Sequence, residues 1–108
     1  MRASVLITNY NNEKYILECI NSVKQQSYKN IEILVNDDNS DDNSIEILKK
    51  VNNIKLIENK KVTKFYSVNH LLALKNLVKK STGEIIFFLD GDDYFHLKKI
   101  EKIVNFLS

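Results

Sequence analysis

Phe87-Phe88-Leu89-Asp90-Gly91-Asp92-Asp93-Tyr94 changes chemistry in its middle: an apolar run stops against carboxylates gathered around a glycine. With Glu84-Ile85-Ile86 before it, the run is rich in β-branched and aromatic residues. It reads as a strand buried on both faces, as in a parallel sheet. Such a strand delivers its terminal acids to the carboxyl edge of the sheet, where open α/β sheets bind their ligands. Asp90 and Asp92 put two hard oxygen donors two residues apart, with Gly91 between them allowing close approach of backbone or ligand. Hard oxygens suit Mg²⁺ or Mn²⁺, held by one or two carboxylates and completed by phosphate oxygens and water. The competing reading is an acidic turn that only closes the strand, since Asp and Gly are ordinary turn residues.

Outward from this point the chain alternates strand and helix. Residues 4–8 form a short apolar strand, broken by the turn-formers Asn9-Tyr10-Asn11-Asn12. From 13 to about 27, Tyr15, Ile16, Cys19, Ile20 and Val23 recur on one helical face, with Asn12 as N-cap. Residues 31–36 are a second strand, ending in Asp37-Asp38-Asn39-Ser40-Asp41-Asp42-Asn43-Ser44. Ile45, Leu48 and Val51 mark a second helix, capped by Ser40 or Asp41. Residues 54–57 are a third strand and 60–66 a basic loop. Residues 67–80 are a helix with Val68, Leu71, Leu72, Leu74 and Val78 as expected core, closed by Gly83. A last helix starts near Leu97, with Ile100, Ile103, Val104 and Leu107 apolar. The alternation implies crossover connections. The expected fold is a three-layer α/β/α arrangement around a mainly parallel, Rossmann-like sheet, one domain over 1–108. In that sheet Asp37-Asp38 and Asp90-Asp92 close strands on the same edge, and Tyr10 joins them there.

Composition narrows the function classes. The 108 residues, 44% hydrophobic and 28% charged, are ordinary for a soluble globular domain. Sixteen basic against 14 acidic residues leave a net charge of +2, too balanced to argue for nucleic acid or anionic lipid. The one basic concentration, Lys60, Lys61, Lys64, Lys75, Lys79 and Lys80, reads as solvated surface. Cys19 is the only cysteine, so no internal disulfide forms, and its place in an amphipathic pattern reads as a small buried hydrophobe. No apolar run approaches the roughly 20 residues of a membrane span, and the opening residues lack a signal peptide's apolar region. The expectation is a cytoplasmic domain, any peripheral membrane association belonging to a missing region or to the acceptor.

Several motifs fail. Asp37-x-Asn39-x-Asp41 begins like a calcium loop, but Asp42 stands where the turn needs Gly and Leu48 where it needs a bidentate Glu. Two glycines in the whole chain exclude the dinucleotide fingerprint and the phosphate-cradling loop. His70 falls within a helix and reads as structural, whereas His96, just past the acidic turn, is the histidine to watch beside a metal. The residues alone leave a phosphate–metal site at a sheet edge. It suits a nucleotide-sugar enzyme, a nucleotidyltransferase or a phosphoacceptor receiver domain.

Three separated blocks carry a resemblance. Val5-Leu6-Ile7-Thr8-Asn9-Tyr10-Asn11, the run from Tyr28 through Ile31-Glu32-Ile33-Leu34-Val35-Asn36-Asp37-Asp38 to Ser44, and Gly83-Glu84-Ile85-Ile86-Phe87-Phe88-Leu89-Asp90-Gly91-Asp92-Asp93 resemble the nucleotide-binding half of family 2 glycosyltransferases with the GT-A fold. The resemblance covers nearly the whole chain. It implies transfer of a sugar from a nucleoside-diphosphate sugar, UDP-sugar favoured, to an acceptor in polysaccharide or glycoconjugate synthesis, with Mn²⁺ or Mg²⁺ as cofactor. It implies that Tyr10, with Thr8 beside it, lines the base pocket and that Asp38 accepts a hydrogen bond from the base. Asp90 and Asp92 match the family's DxD motif. The resemblance has Asp90 contact ribose or metal-bound water and Asp92 ligate the metal. Lys75 lies in a stretch similar to the family's Arg-Asn segment, which implies contact with phosphate or sugar.

Two departures stand out. The proline that often precedes the first block's Thr-Tyr-Asn is missing. Such transferases also continue for about as many residues again, supplying the acceptor surface and the catalytic base, and no residue here matches that base. The chain is therefore expected to be a donor-binding half, truncated after the DxD strand and one helix and inactive alone. Truncation is expected to expose apolar surface around Phe87, Leu89, Phe95 and Phe106 and to favour a homo-oligomer. Two alternatives remain open: a non-catalytic nucleotide-binding or association module, and a sugar-phosphate nucleotidyltransferase. The second would need a glycine-rich basic loop where Asn9-Tyr10-Asn11-Asn12 stands.

Overall fold

Ala3–Asn9 (β1) is buried at every position, which only a strand flanked on both sides and covered on both faces achieves. In the computed structural model, which describes residues 1–59 and 63–108, it is paired with Ile31–Asp37 (β2) on one side and Ile85–Asp90 (β4) on the other. Lys55–Glu58 (β3) pairs with β2, giving the order β3-β2-β1-β4, every pair parallel. The connecting helices are Ile16–Lys24 (α1), Ser44–Lys49 (α2), Tyr66–Lys80 (α3) and Lys99–Leu107 (α4). Register aligns the strand ends: Thr8 lies opposite both Asn36 and Asp90, and Asn9 opposite Asp37.

The two faces are unequal. Val5, Ile7, Ile33, Val35, Phe87 and Leu89 share one buried cluster with Ile16, Cys19, Ile20 and Val23 of α1, Leu48 of α2, and Ile100 and Val104 of α4. On the other face Leu6 and Leu34 meet Leu77 of α3. The three-layer α/β/α arrangement is as expected. Each fully buried Leu or Ile contributes about 1.5–3 kcal/mol relative to exposure.

The edge opposite the strand ends is sewn by Glu32. Its carboxylate accepts from Ser4 Oγ, the Thr82 N–H and Lys55 Nζ, the last at 2.9 Å. Burial pushes this acid up, but those donors outweigh it and hold it at about 2. Gly83 belongs to the same knot. Its N–H donates to Ser4 Oγ at 2.8 Å, and a Cβ would stand 2.4 Å from that oxygen. Gly83 thus serves close approach and does not close α3, whose C-cap is Ser81.

Other expectations are corrected. β4 is not buried on both faces: it is the sheet's edge, and Ile86 and Phe88 are 37% and 56% exposed. On α3 the buried pair is Ala73 and Leu77, while Val68, Leu71, Leu72 and Val78 are exposed. That helix is apolar on several faces, and the sheet beneath selects one stripe. Phe87, Leu89 and Phe95 are buried, so of the four residues expected at the surface only Phe106 is open, at 86% exposure. Tyr15 stands at the N-cap of α1, exposed, and Asn12 contributes only its carbonyl to that first turn. Neither Ser40 nor Asp41 caps α2: the N-cap is Asn43, and Asp42 Oδ1 accepts the Ser44 N–H at 2.9 Å. On α4, Ile103 and Leu107 face outward. Lys60, Lys61 and the first part of the basic loop lie outside the described residues. Among the described residues no helix is long and apolar enough to cross a membrane.

Candidate functional site

Side chains alternate along β1, so Ile7 enters the large core while Thr8 faces the α3 side. The loops after β1 and β2 then lock together through their polar groups. Asp37, fully buried, accepts from Asn9 Nδ2 at 2.8 Å, the Ser40 N–H at 2.9 Å and Ser40 Oγ at 2.7 Å. Asn11 and Asn39 adopt φ of 53° and 56°, the left-handed region that asparagine tolerates. Asn11 Oδ1 accepts from the Asp41 N–H at 2.7 Å, and Asp42 Oδ2 from the Glu13 N–H at 3.0 Å. Burial pushes the Asp42 carboxyl up, but donors from Ser44 and Glu13 prevail and lower it. Most of the acidic run is thus occupied with its own loops.

Asp38 differs from Asp37 and Asp42. It is 8% exposed and lines a cleft at the carboxyl edge. Asn36 Nδ2 donates to it at 2.8 Å and Asn59 Nδ2 at 3.4 Å. Burial, first of all, raises its carboxyl above the usual range; these amides oppose the rise, the Asp37 charge adds to it, and His70 opposes it.

The acidic turn after β4 meets the end of β1. Thr8 Oγ1 donates to Asp90 Oδ1 at 3.0 Å, and the Gly91 N–H to Thr8 O at 2.8 Å. A Cβ on Gly91 would stand 2.6 Å from Asn9 Oδ1 and 3.2 Å from Thr8 O, so only glycine lets the turn lie this close. Asp90 and Asp92 are exposed into the cleft. Both are hard oxygen donors, and among the described residues no group of three or more His, Cys, Asp and Glu is placed to hold a metal. That donor set fits an ion taking one or two carboxylates and the remainder of its shell from phosphate and water.

The cleft, about 180 Å³, brings together Thr8, Tyr10, Asp38, Asp90 and Asp92 from the carboxyl ends of three strands and the loops that follow them, with Tyr66 and His70 of α3 on its far wall. A recess of about 230 Å³ continues past Tyr10, Asp38 and Tyr66 to Thr63, Lys64 and Asn69. Another, about 360 Å³, runs from Thr8, His70 and Asp90 to Phe88, Tyr94 and Lys99. Lys75 is exposed on α3 and lines none of these three. The histidine at the cleft is His70, not His96. Buried Gln26 fixes the loop carrying His96: its Nε2 donates to His96 O at 2.6 Å, and its Oε1 accepts the Ile100 N–H at 3.1 Å. Tyr66 and His70 are legible in the sequence only as a pair one helical turn apart. Their rings stack at 6.0 Å and 19°. Cys19 is no nucleophile: burial above all, then the charges of Asp93, Asp92 and Asp90, pushes its thiol up to about 12.

Residues 4–108 match the family model described as Glycosyl transferase family 2. The chain belongs to that family. This family 2 chain is 39% identical over 107 residues to an uncharacterized glycosyltransferase of Haemophilus influenzae, covering 96% of itself and 41% of that protein. It is 33% identical over 105 residues to the UDP-Glc:α-D-GlcNAc-diphosphoundecaprenol β-1,3-glucosyltransferase WfaP of Escherichia coli, covering 97% and 41%. The chain therefore spans about two fifths of these two curated relatives. Among solved structures it superposes on S. aureus TarS residues 1–349 with a TM-score of 0.83 at 30% identity, over 99% of this chain and 32% of that one. The TarS complex with UDP-GlcNAc gives 0.82. The GT-A likeness of the fold is borne out.

Proposed function

We propose that this chain is the donor-binding part of a glycosyltransferase that holds a nucleoside-diphosphate sugar, UDP-sugar in preference, through Mn²⁺ or Mg²⁺. The observation that carries this is the convergence of Tyr10, Asp38, Asp90 and Asp92 on one cleft, although they leave the ends of three different strands. Tyr10 offers a ring face for the base. Asp38 offers an acceptor for a ring N–H, and burial sharpens that preference because an unmatched partner is costly there. Thr8 fixes one oxygen of Asp90 and so orients the carboxylate. Asp90 and Asp92 would hold the cation, which neutralises charge on the diphosphate as it leaves the sugar. In this arrangement the base occupies the recess toward Thr63 and Asn69, and the donor sugar lies toward Phe88 and Tyr94. The sequence likeness to WfaP supports an acceptor in polysaccharide or glycoconjugate assembly, and TarS, at 30% identity, was solved with UDP-GlcNAc. An inverting displacement also needs a base within reach of the acceptor hydroxyl, and no residue here matches the family's base, so the reading is confined to donor binding.

Calorimetric titration of UDP with and without Mn²⁺, on the native chain and Asp92→Ala, tests the reading. Native binding should tighten at least tenfold with metal, and the variant should lose that gain. Affinities indifferent to metal in both proteins would remove the basis for the assignment.

A further inference from the structure

We propose that His70 is the chain's own nitrogen donor to the diphosphate of the bound nucleotide, presented from the α3 wall of the cleft. This rests on the nucleotide-binding reading above. His70 lines both the cleft that holds Asp38, Asp90 and Asp92 and the recess that continues toward Phe88 and Lys99, and Thr8 and Asp90 are the other residues the two share. It therefore sits where the cleft that holds Asp38 passes into the recess proposed for the donor sugar. In a nucleotide sugar the groups between the base and the sugar are the ribose and the diphosphate.

Charge makes the position consequential. Among the described residues lining that cleft, the acidic side chains are Asp38, Asp90 and Asp92, and His70 is the one nitrogen base. A diphosphate adds negative charge to a wall that is already acidic. A divalent cation offsets part of it, and an imidazole N–H directed at a phosphate oxygen offsets more, through a charge-assisted hydrogen bond. The imidazole is also braced from one side, because Tyr66, one turn earlier on α3, stacks on it at 6.0 Å and 19°. His70 does not complete a three-residue metal site with the two aspartates, because among the described residues no such group is in place.

The test titrates UDP and uridine, each with Mn²⁺, into the native chain, His70→Leu and His70→Gln. Leucine keeps bulk without a donor, and glutamine restores an N–H. UDP affinity should fall tenfold or more in His70→Leu and recover in part in His70→Gln, while uridine affinity stays within about twofold. Should the leucine variant fail to fold, His70→Ala supplies the same comparison. An equal loss for uridine and UDP would place His70 against the base and overturn the proposal, as would unchanged UDP affinity. A native chain that binds no UDP would instead sink the nucleotide reading itself, so the two failures are told apart.

Discussion

Asp37 and Asp38 are neighbours in sequence with different work to do. Asp37 is fully buried and holds Asn9 and Ser40 in place, whereas Asp38 presents a carboxylate to the cleft. Asp37→Ala strands the Asn9 amide and the Ser40 N–H, and urea unfolding should show a loss on the order of 2–3 kcal/mol. Asp38→Asn keeps the shape but replaces the carboxylate acceptor. Its urea midpoint should stay close to native while UDP affinity drops about tenfold. The reverse pattern would mean that the two roles had been exchanged. Apolar patterning placed both acids at the right edge without separating them, and only the family resemblance singled out Asp38; the hydrogen-bond partners that tie Asp37 into the loops are seen only in the structure.

At the scale of elements, strands are more legible than helix faces. An apolar run ended by polar turn-formers locates all four strands to within about two residues. Helix α3 is located nearly as well, yet its core face is not, since Leu and Val occur around the whole helix and only the sheet picks out Ala73 and Leu77. The knot at Glu32 ties β1, β2, β3 and the loop before β4, and it sets a pH dependence. Its folded carboxyl, at about 2, lies below its ordinary 4.5. A depressed acid contributes stability that is fully present above pH 4.5 and is lost as pH falls from there toward 2. The loss should reach on the order of 3 kcal/mol. Thermal melts between pH 6 and pH 2.5 should show a fall that is much smaller in Glu32→Gln.

For the molecule as a whole, the open flank is the feature with a physical consequence. Ile86 and Phe88 on β4 and Leu71 on α3 are exposed, although Phe87, Leu89 and Phe95 are covered. An apolar flank beside an unpaired strand edge favours self-association. Sedimentation should show reversible, concentration-dependent association at micromolar chain, reduced in Phe88→Glu; a native chain that stays monomeric throughout would count against it.

Sequence by itself determined the alternation of strand and helix, the parallel sheet, and the delivery of Tyr10, Asp38, Asp90 and Asp92 to one edge. Those follow from local periodicity and from where apolar runs end. Only the tertiary structure decided which acid is tied into the loops, which stripe of α3 meets the sheet, that Gly83 and Gly91 serve close contacts, and that His70 and not His96 reaches the cleft. Each of these depends on what lies across a gap from residues far away in the chain, and no local pattern encodes the far side of a gap.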